Sequence, residues 1–219
     1  MSSAKLQGGA SGTGSVTLLA PNTNNTDVLT LPDVAADTLV GAAATQTLTN
    51  KTLGSGLVAG ASYLTSGTAV ASTSGTSIDF TSIPSWVKRI TVMFNGVSTS
   101  GTSPTQIQLG AGSVDATSYV ANVMSTQAAV STSGGTTGFY LTVSVNVSAA
   151  TAVQGSFVLT LLGSNTWTGV GSLARDTGNN TMFFSAGSKT LSGTLDRVRI
   201  TTVNGTDTFD AGSINILWE

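Results

Sequence analysis

Carboxylates are the acid–base groups this chain could bring to a reaction, because its 219 residues include no histidine and no cysteine. Asp207 and Asp210 sit close together in "NGTDTFDAGS", and Asp176 and Asp196 are the next candidates, placed where they could approach in space. A glycosidase needs two carboxylates at a defined separation across the scissile bond. A calcium site needs several oxygen ligands. A D-x-x-D spacing alone establishes neither, and aspartate is common in turns, where its side chain bonds the local backbone. The structural reading is therefore preferred. The missing histidine removes the commonest general base and transition-metal ligand, and the missing cysteine excludes disulfides and thiolate metal sites. No catalytic residue, metal ligand or cofactor is expected.

Two glycine motifs carry weaker chemistry. "GVGSLA" (Gly169, Gly171, Ala174) satisfies G-x-G-x-x-A, but a dinucleotide fingerprint needs a strand before it and a helix after it. Here "RDTGNN" follows, which reads as a turn. "GSKT" at 187–190 reads as a loop. Of the three tryptophans, Trp218 is in phase with Ile214 and Ile216 and is expected in the core. Trp86 follows Pro84 at a strand start and is expected as a core or rim anchor. Trp167, in "GSNTWTGVG", has a loop-like setting and is the candidate for surface recognition, since an exposed indole buries much area at little entropic cost. The basic pairs Lys88-Arg89 and Arg197/Arg199 are expected to be solvated or salt-bridged, the latter to Asp196 or a neighbour.

These residues must be positioned by strands. "VKRITVMF" (87–94) places Ile90, Val92 and Phe94 on one face, and "GFYLTVSVNV" (138–147) places Phe139, Leu141, Val143, Val145 and Val147 on one face. That is the period of a half-buried strand. "SFVLTLLG" (156–163) is a more fully apolar strand. "TLDRVRITTV" (194–203) turns Val198 and Ile200 inward and Arg197 and Arg199 outward, and "SINILWE" (213–219) ends the sequence. Weaker strands are expected near 77–82, 105–109, 117–124 and 181–185. Eight or nine short strands separated by Gly, Ser, Asn and Thr predict an all-β sandwich of jelly-roll type.

Residues 1–60 differ. They hold no aromatic residue and only short apolar bursts: Val16, Leu18 and Leu19; Val28, Leu29 and Leu31; Leu48 and Leu53. "DVAADTLVGAAA" (33–44) is a candidate short helix capped by Asp33. Ordering a residue costs about 1–2 kcal/mol, which so few apolar side chains cannot offset alone. Packing against other chains would, so Val16, Leu18, Leu29, Leu31, Leu48 and Leu53 are the candidate inter-chain contacts. If extended, 60 residues reach up to ~200 Å. The expected division is an arm over 1–60 and a head over 61–219.

Composition narrows the partners. Apolar residues make up 40% of the chain and charged residues only 8%, against about 25% in an ordinary soluble domain. The surface must be covered mainly by Ser, Thr, Asn and Gly. Eight Lys and Arg against ten Asp and Glu, net charge −2, give neither the basic footprint of a nucleic-acid binder nor a polybasic membrane patch. "MSSAKLQGGASGTG" lacks a signal-type apolar run, and no segment approaches the ~20 apolar residues of a membrane span. Five Asn-x-Ser/Thr sequons (Asn24, Asn50, Asn146, Asn179 and Asn204) are expected by chance in so Ser/Thr-rich a chain.

"GSVTLLAPNTNNTDVLTLPDV", followed by "TQTLTNKTL", resembles the N-terminal segments of tailed-bacteriophage fibre and appendage proteins. "IDFTSIPSWVKRITVMFNGVS" and "TLDRVRITTVNGTDTFDAGSINILWE" resemble a C-terminal β-domain found at the ends of phage and prophage virion proteins. The resemblance covers most of the chain, and its motifs are low in complexity. It implies a homotrimer with an N-terminal virion-binding region and a distal β-sandwich head, and it carries over no catalytic residue. The expected function is that of a trimeric tail-fibre-like virion protein, made in the host cytoplasm, with its arm on other virion proteins and its head contributing to adsorption to a host-surface glycan. A capsid decoration protein or head fibre has the same anatomy. A small glycan depolymerase acting through Asp207 or Asp176, and a monomeric carbohydrate-binding module, are the remaining alternatives.

Overall fold

The computed structural model describes residues 64–126, 130–149, 151–176 and 180–219. The arm, with its bursts at Val16, Leu18, Leu29, Leu31, Leu48 and Leu53 and the helix expected over 33–44, lies outside the described residues.

The described residues form β1 (Thr65–Ser66), β2 (Val70–Ala71), β3 (Ser77–Thr81), β4 (Arg89–Thr99), β5 (Thr105–Ala111), β6 (Ser113–Asp115) and β7 (Val120–Thr126). They continue with β8 (Ser131–Gly135), β9 (Phe139–Tyr140), β10 (Val153–Gly163), β11 (Thr166–Arg175), β12 (Met182–Thr190), β13 (Arg197–Thr202) and β14 (Phe209–Trp218). A 3-10 turn spans Ser144–Asn146. The class is all-β, as the alternation predicts.

Two antiparallel sheets make a sandwich. One has nine strands in the order β1-β14-β4-β10-β11-β12-β7-β8, with β2 also on β14. The other has five, β3-β13-β5-β6, with β9 also on β5. β10 and β11 join through Ser164 and Asn165, whose φ angles of 45° and 63° are those of a two-residue type I′ hairpin turn. Most other neighbours come from distant parts of the chain, the crossing connectivity by which sandwich folds lay consecutive strands in opposite sheets.

The core lies between the sheets. Ile90, Val92 and Phe94 of β4, Phe157 and Leu159 of β10, and Ile214 and Ile216 of β14 face Ile107 and Leu109 of β5 and Val198 and Ile200 of β13, all buried. The Phe139 ring is the bridge. It meets Tyr119 edge-on with centroids 5.3 Å apart, and Phe157 of the opposite sheet at 5.3 Å. Each such pair adds about 0.5–1.5 kcal/mol beyond the area it buries.

Two local expectations are corrected. The most regular alternation in the sequence, 138–147, is a strand only over Phe139–Tyr140. Residues 138–143 are all buried, and the turn that follows exposes Val145 while burying Asn146. Both faces of this segment are covered, so its polar side chains need internal partners. The Thr142 hydroxyl accepts from the Thr105 N–H at 2.9 Å, and the Asn146 amide donates to the Ser125 hydroxyl. Conversely, the loop-like setting expected for Trp167 in "GSNTWTGVG" is the β10–β11 hairpin and the start of β11, and "GSKT", expected as a loop, lies in β12, both in the middle of the larger sheet.

Candidate functional site

Each candidate carboxylate is engaged in holding a loop or strand. Asp207 accepts from the Ser103 N–H at 3.0 Å and the Asn204 side-chain amide at 2.6 Å, tying the 203–208 turn to the β4–β5 loop. Asp210 accepts from the Ser98 hydroxyl across the β14–β4 ladder. Asp176 accepts from the Ala152 N–H at 3.2 Å. Asp196 accepts from the Gly112 N–H at 3.0 Å and from Arg197 at 2.8 Å. The Arg197 guanidinium holds the Asp196 carboxyl below its ordinary range against a smaller opposing effect of burial. No group of three or more His, Cys, Asp or Glu suited to a metal ion occurs among the described residues. "GVGSLA" runs along β11 with no helix after it. A Cβ at Gly169 would lie 2.4 Å from the Phe157 ring, so the motif makes room for a core aromatic.

The tryptophans exchange roles. Trp167 is in β11, not a loop, and is 3% exposed, so it cannot be the surface-recognition residue that its Gly-rich setting suggests. Its position is in register with Lys189 of β12 and points between the sheets with Leu173. Trp86, expected as a core or rim anchor, is 50% exposed on the segment between β3 and β4. Trp218 packs partly buried against the core.

Three of the four residues in the basic pairs are salt-bridged, as expected. Arg89 pairs with Glu219 at 2.7 Å, Arg197 with Asp196, and Arg199 with Asp79 at 2.7 and 2.8 Å in a two-pronged contact. Lys189 was not singled out by sequence. Its ammonium is buried in β12 and meets Asp115 at 2.6 Å, the Thr117 carbonyl at 2.6 Å and the face of Tyr119 at 4.9 Å. Burial pushes Tyr119 well above the ordinary tyrosine range, keeping its hydroxyl protonated to donate to the Asp115 carbonyl at 2.8 Å while it accepts from the Leu109 N–H at 2.6 Å.

A polar groove of about 280 Å³ opens on the outer side of the five-stranded sheet, with Ser77, Gln106, Gln108, Arg199, Thr201 and Asn204 among its walls. Its amides are held in place. Gln106 Oε1 accepts from the Thr137 hydroxyl at 2.9 Å, and Gln108 Nε2 donates to the Thr137 carbonyl at 2.9 Å. Asn204 Oδ1 accepts from the Thr202 hydroxyl at 2.8 Å and the Thr206 N–H at 3.1 Å. Asp79 cancels the charge of Arg199 while engaging two of the five guanidinium N–H groups. The groove is thus lined by polar side chains held through internal hydrogen bonds, and it carries no net charge. No single short stretch signals it, because its walls come from β3, β5, β13, the turn after β13 and the segments holding Ala116 and Thr137.

No helix among the described residues is long and apolar enough to cross a membrane. No family model, curated protein or solved structure matches this chain.

Proposed function

We propose that this chain is a bacteriophage virion structural protein, a trimeric tail-fibre-like appendage attached through residues 1–60, whose β-sandwich head contacts a host-surface glycan. The observation that carries the glycan contact is the uncharged polar groove beside Arg199. The resemblance of "GSVTLLAPNTNNTDVLTLPDV" and "TQTLTNKTL" to phage appendage segments supports the virion assignment. Carboxylates committed to backbone and side-chain hydrogen bonds favour binding over hydrolysis. Weak sites repeated in one appendage gain strength through effective concentration, so a shallow groove suffices.

Two experiments test the reading. Immunogold electron microscopy of intact particles and tailless heads should place the chain on tails and leave the heads unlabelled. Label retained on tailless heads replaces the tail assignment with capsid decoration, and no label on any particle removes the virion assignment. Binding of the full chain to purified host-surface polysaccharide should weaken about tenfold in Arg199→Ala, which removes donors worth roughly 1.5 kcal/mol. Arg89→Ala, which breaks an ion pair outside the groove, should bind as the parent does. Equal binding by the parent and Arg199→Ala would overturn the groove as the contact.

A further inference from the structure

The outer faces of the two sheets differ in kind. The five-stranded sheet shows paired charges, Asp79 with Arg199 and Asp196 with Arg197. The larger sheet shows almost none. Along β7, β12, β11, β10 and β4, the register sets Val120, Met124, Phe184, Val170, Val158 and Met182 on one outward face. The other outward positions of these strands are Ala, Ser, Thr, Asn, Gln, a further Met and, at the β10–β11 end, the exposed Leu162, and the charge on this face is Arg89 at one end of β4. Val120 is 67% exposed, Val170 62% and Phe184 45%. Phe184 stands directly across from Met124, and Val170 across from both Ala186 and Val158. They form one apolar surface, hollowed between Met124, Val170 and Phe184. Contiguous exposed apolar patches of several hundred Å² often mark interaction surfaces.

We infer that this face packs against a second copy of the chain. Five strands spaced about 4.8 Å apart, each contributing roughly seven residues at about 3.3 Å, span a plane of roughly 24 Å by 23 Å. That is roughly 550 Å² before side-chain relief is counted, near the lower end of the ~600–1,000 Å² that a specific interface takes from each partner. With almost no charge to select an unlike partner, the surface is complementary to another uncharged apolar surface, such as its own. The neighbouring strand β8 ends the sheet, and its sequence "STSGG" holds neither the charge nor the proline that usually guards an open edge. A closed ring needs two different patches on each chain, and three such planes meeting at a common axis supply them, the β7–β12 half of one plane lying against the β10–β4 half of the next. The copy number of three rests on the appendage reading, whereas the face itself rests on geometry.

Analytical ultracentrifugation of the full chain tests this. The parent should sediment at three times 21.9 kDa, and Val170→Lys and Phe184→Lys should each fall threefold in mass, to the single chain. Both positions are exposed in the single chain, so far-UV dichroism and cooperative melting should be retained. Val145→Lys, at an exposed apolar position outside these strands, should keep the parent mass. A parent that sediments as one chain, variants that both keep the parent mass, or a Val145→Lys that also dissociates would each overturn the inference. A single-chain parent whose residues 1–60 become protease-sensitive in Val170→Lys would assign the face to the chain's own arm. The particle labelling is independent. A chain that assembles through this face yet labels no particle refutes the appendage reading alone. A chain found on tails whose mass ignores both lysines refutes the interface alone.

Discussion

Asp115→Ala is expected to destabilise the head by about 2–3 kcal/mol, whereas Lys189→Met should change its stability by less than about 1 kcal/mol. The asymmetry comes from where each charge sits. The Lys189 side chain is 2% exposed and that of Asp115 is 32% exposed. Removing the carboxylate strands an ammonium in the interior with one carbonyl and one aromatic face as partners. Removing the ammonium leaves a carboxylate that water already reaches and that Thr117 still serves through its N–H at 2.9 Å and its hydroxyl at 2.8 Å. Methionine also replaces the lysine stem at similar volume. Urea unfolding of the full chain measures both, and equal losses would show that the charge is not the controlling quantity. Acid adds a second readout. Burial raises the Asp115 pKa, but the Lys189 and Thr117 contacts outweigh it and hold the group below its ordinary value of 3.8. A lowered folded pKa means that the contribution is present at neutral pH and is lost as pH falls below about 4, through the folded value. The stability gap between parent and Asp115→Ala should therefore narrow there.

Gly212→Ala should cost about 3 kcal/mol, and Gly205→Ala about 1 kcal/mol, although both glycines have positive φ. At Gly205 (φ 68°) an added Cβ meets nothing within 4 Å, so only the left-handed backbone conformation opposes it. At Gly212 (φ 91°) the Cβ would lie 2.3 Å from the Gly96 carbonyl oxygen. This is where the β14–β4 register shifts between Ala211 and Ser213. The two strands cannot separate there without breaking the ladder that joins them, so overpacking adds to backbone strain. Thermal melts compare the two variants directly. Equal shifts would mean that the close approach contributes nothing.

Strands whose inward side chains are all large were readable in the sequence: Ile90, Val92 and Phe94 in β4, Val198 and Ile200 in β13, Ile214 and Ile216 in β14. β11 was not, because two of its inward positions are Gly169 and Gly171, where the pattern vanishes into what looks like a loop. The space they leave is filled by Phe157, on a neighbouring strand, which local spacing cannot reveal. The segment 138–147 shows the opposite failure. Its alternation is clear, but a period of two assumes one wet face, and over 138–143 both faces are covered. Tryptophan exposure followed the same logic: Trp167 is buried by a sheet that its own glycines concealed, and Trp86 lies between strands, outside any alternation. The groove was illegible because Gln108, Arg199 and Asn204 become neighbours only through the pairing of β5 with β13. The apolar outer face was legible in part. Phe183 and Phe184 are adjacent in a strand, so one of them had to point outward.

The placement of β14 sets an order of events. It lies between β4 on one side and β1 and β2 on the other, pairing Trp218 with Thr65 and Ile214 with Val70. β13 occupies the same middle position in the other sheet, between β3 and β5. Both sheets are therefore completed by strands that leave the ribosome after all the other described strands. Until they emerge, β3, β4 and β5 present unpaired edges, the state in which β-rich chains aggregate. Closing contacts across some 120–150 residues is also slow. The head is thus a fold whose two sheets close last, at β13 and β14, and shielding of its early strands until those two emerge becomes a requirement for its production.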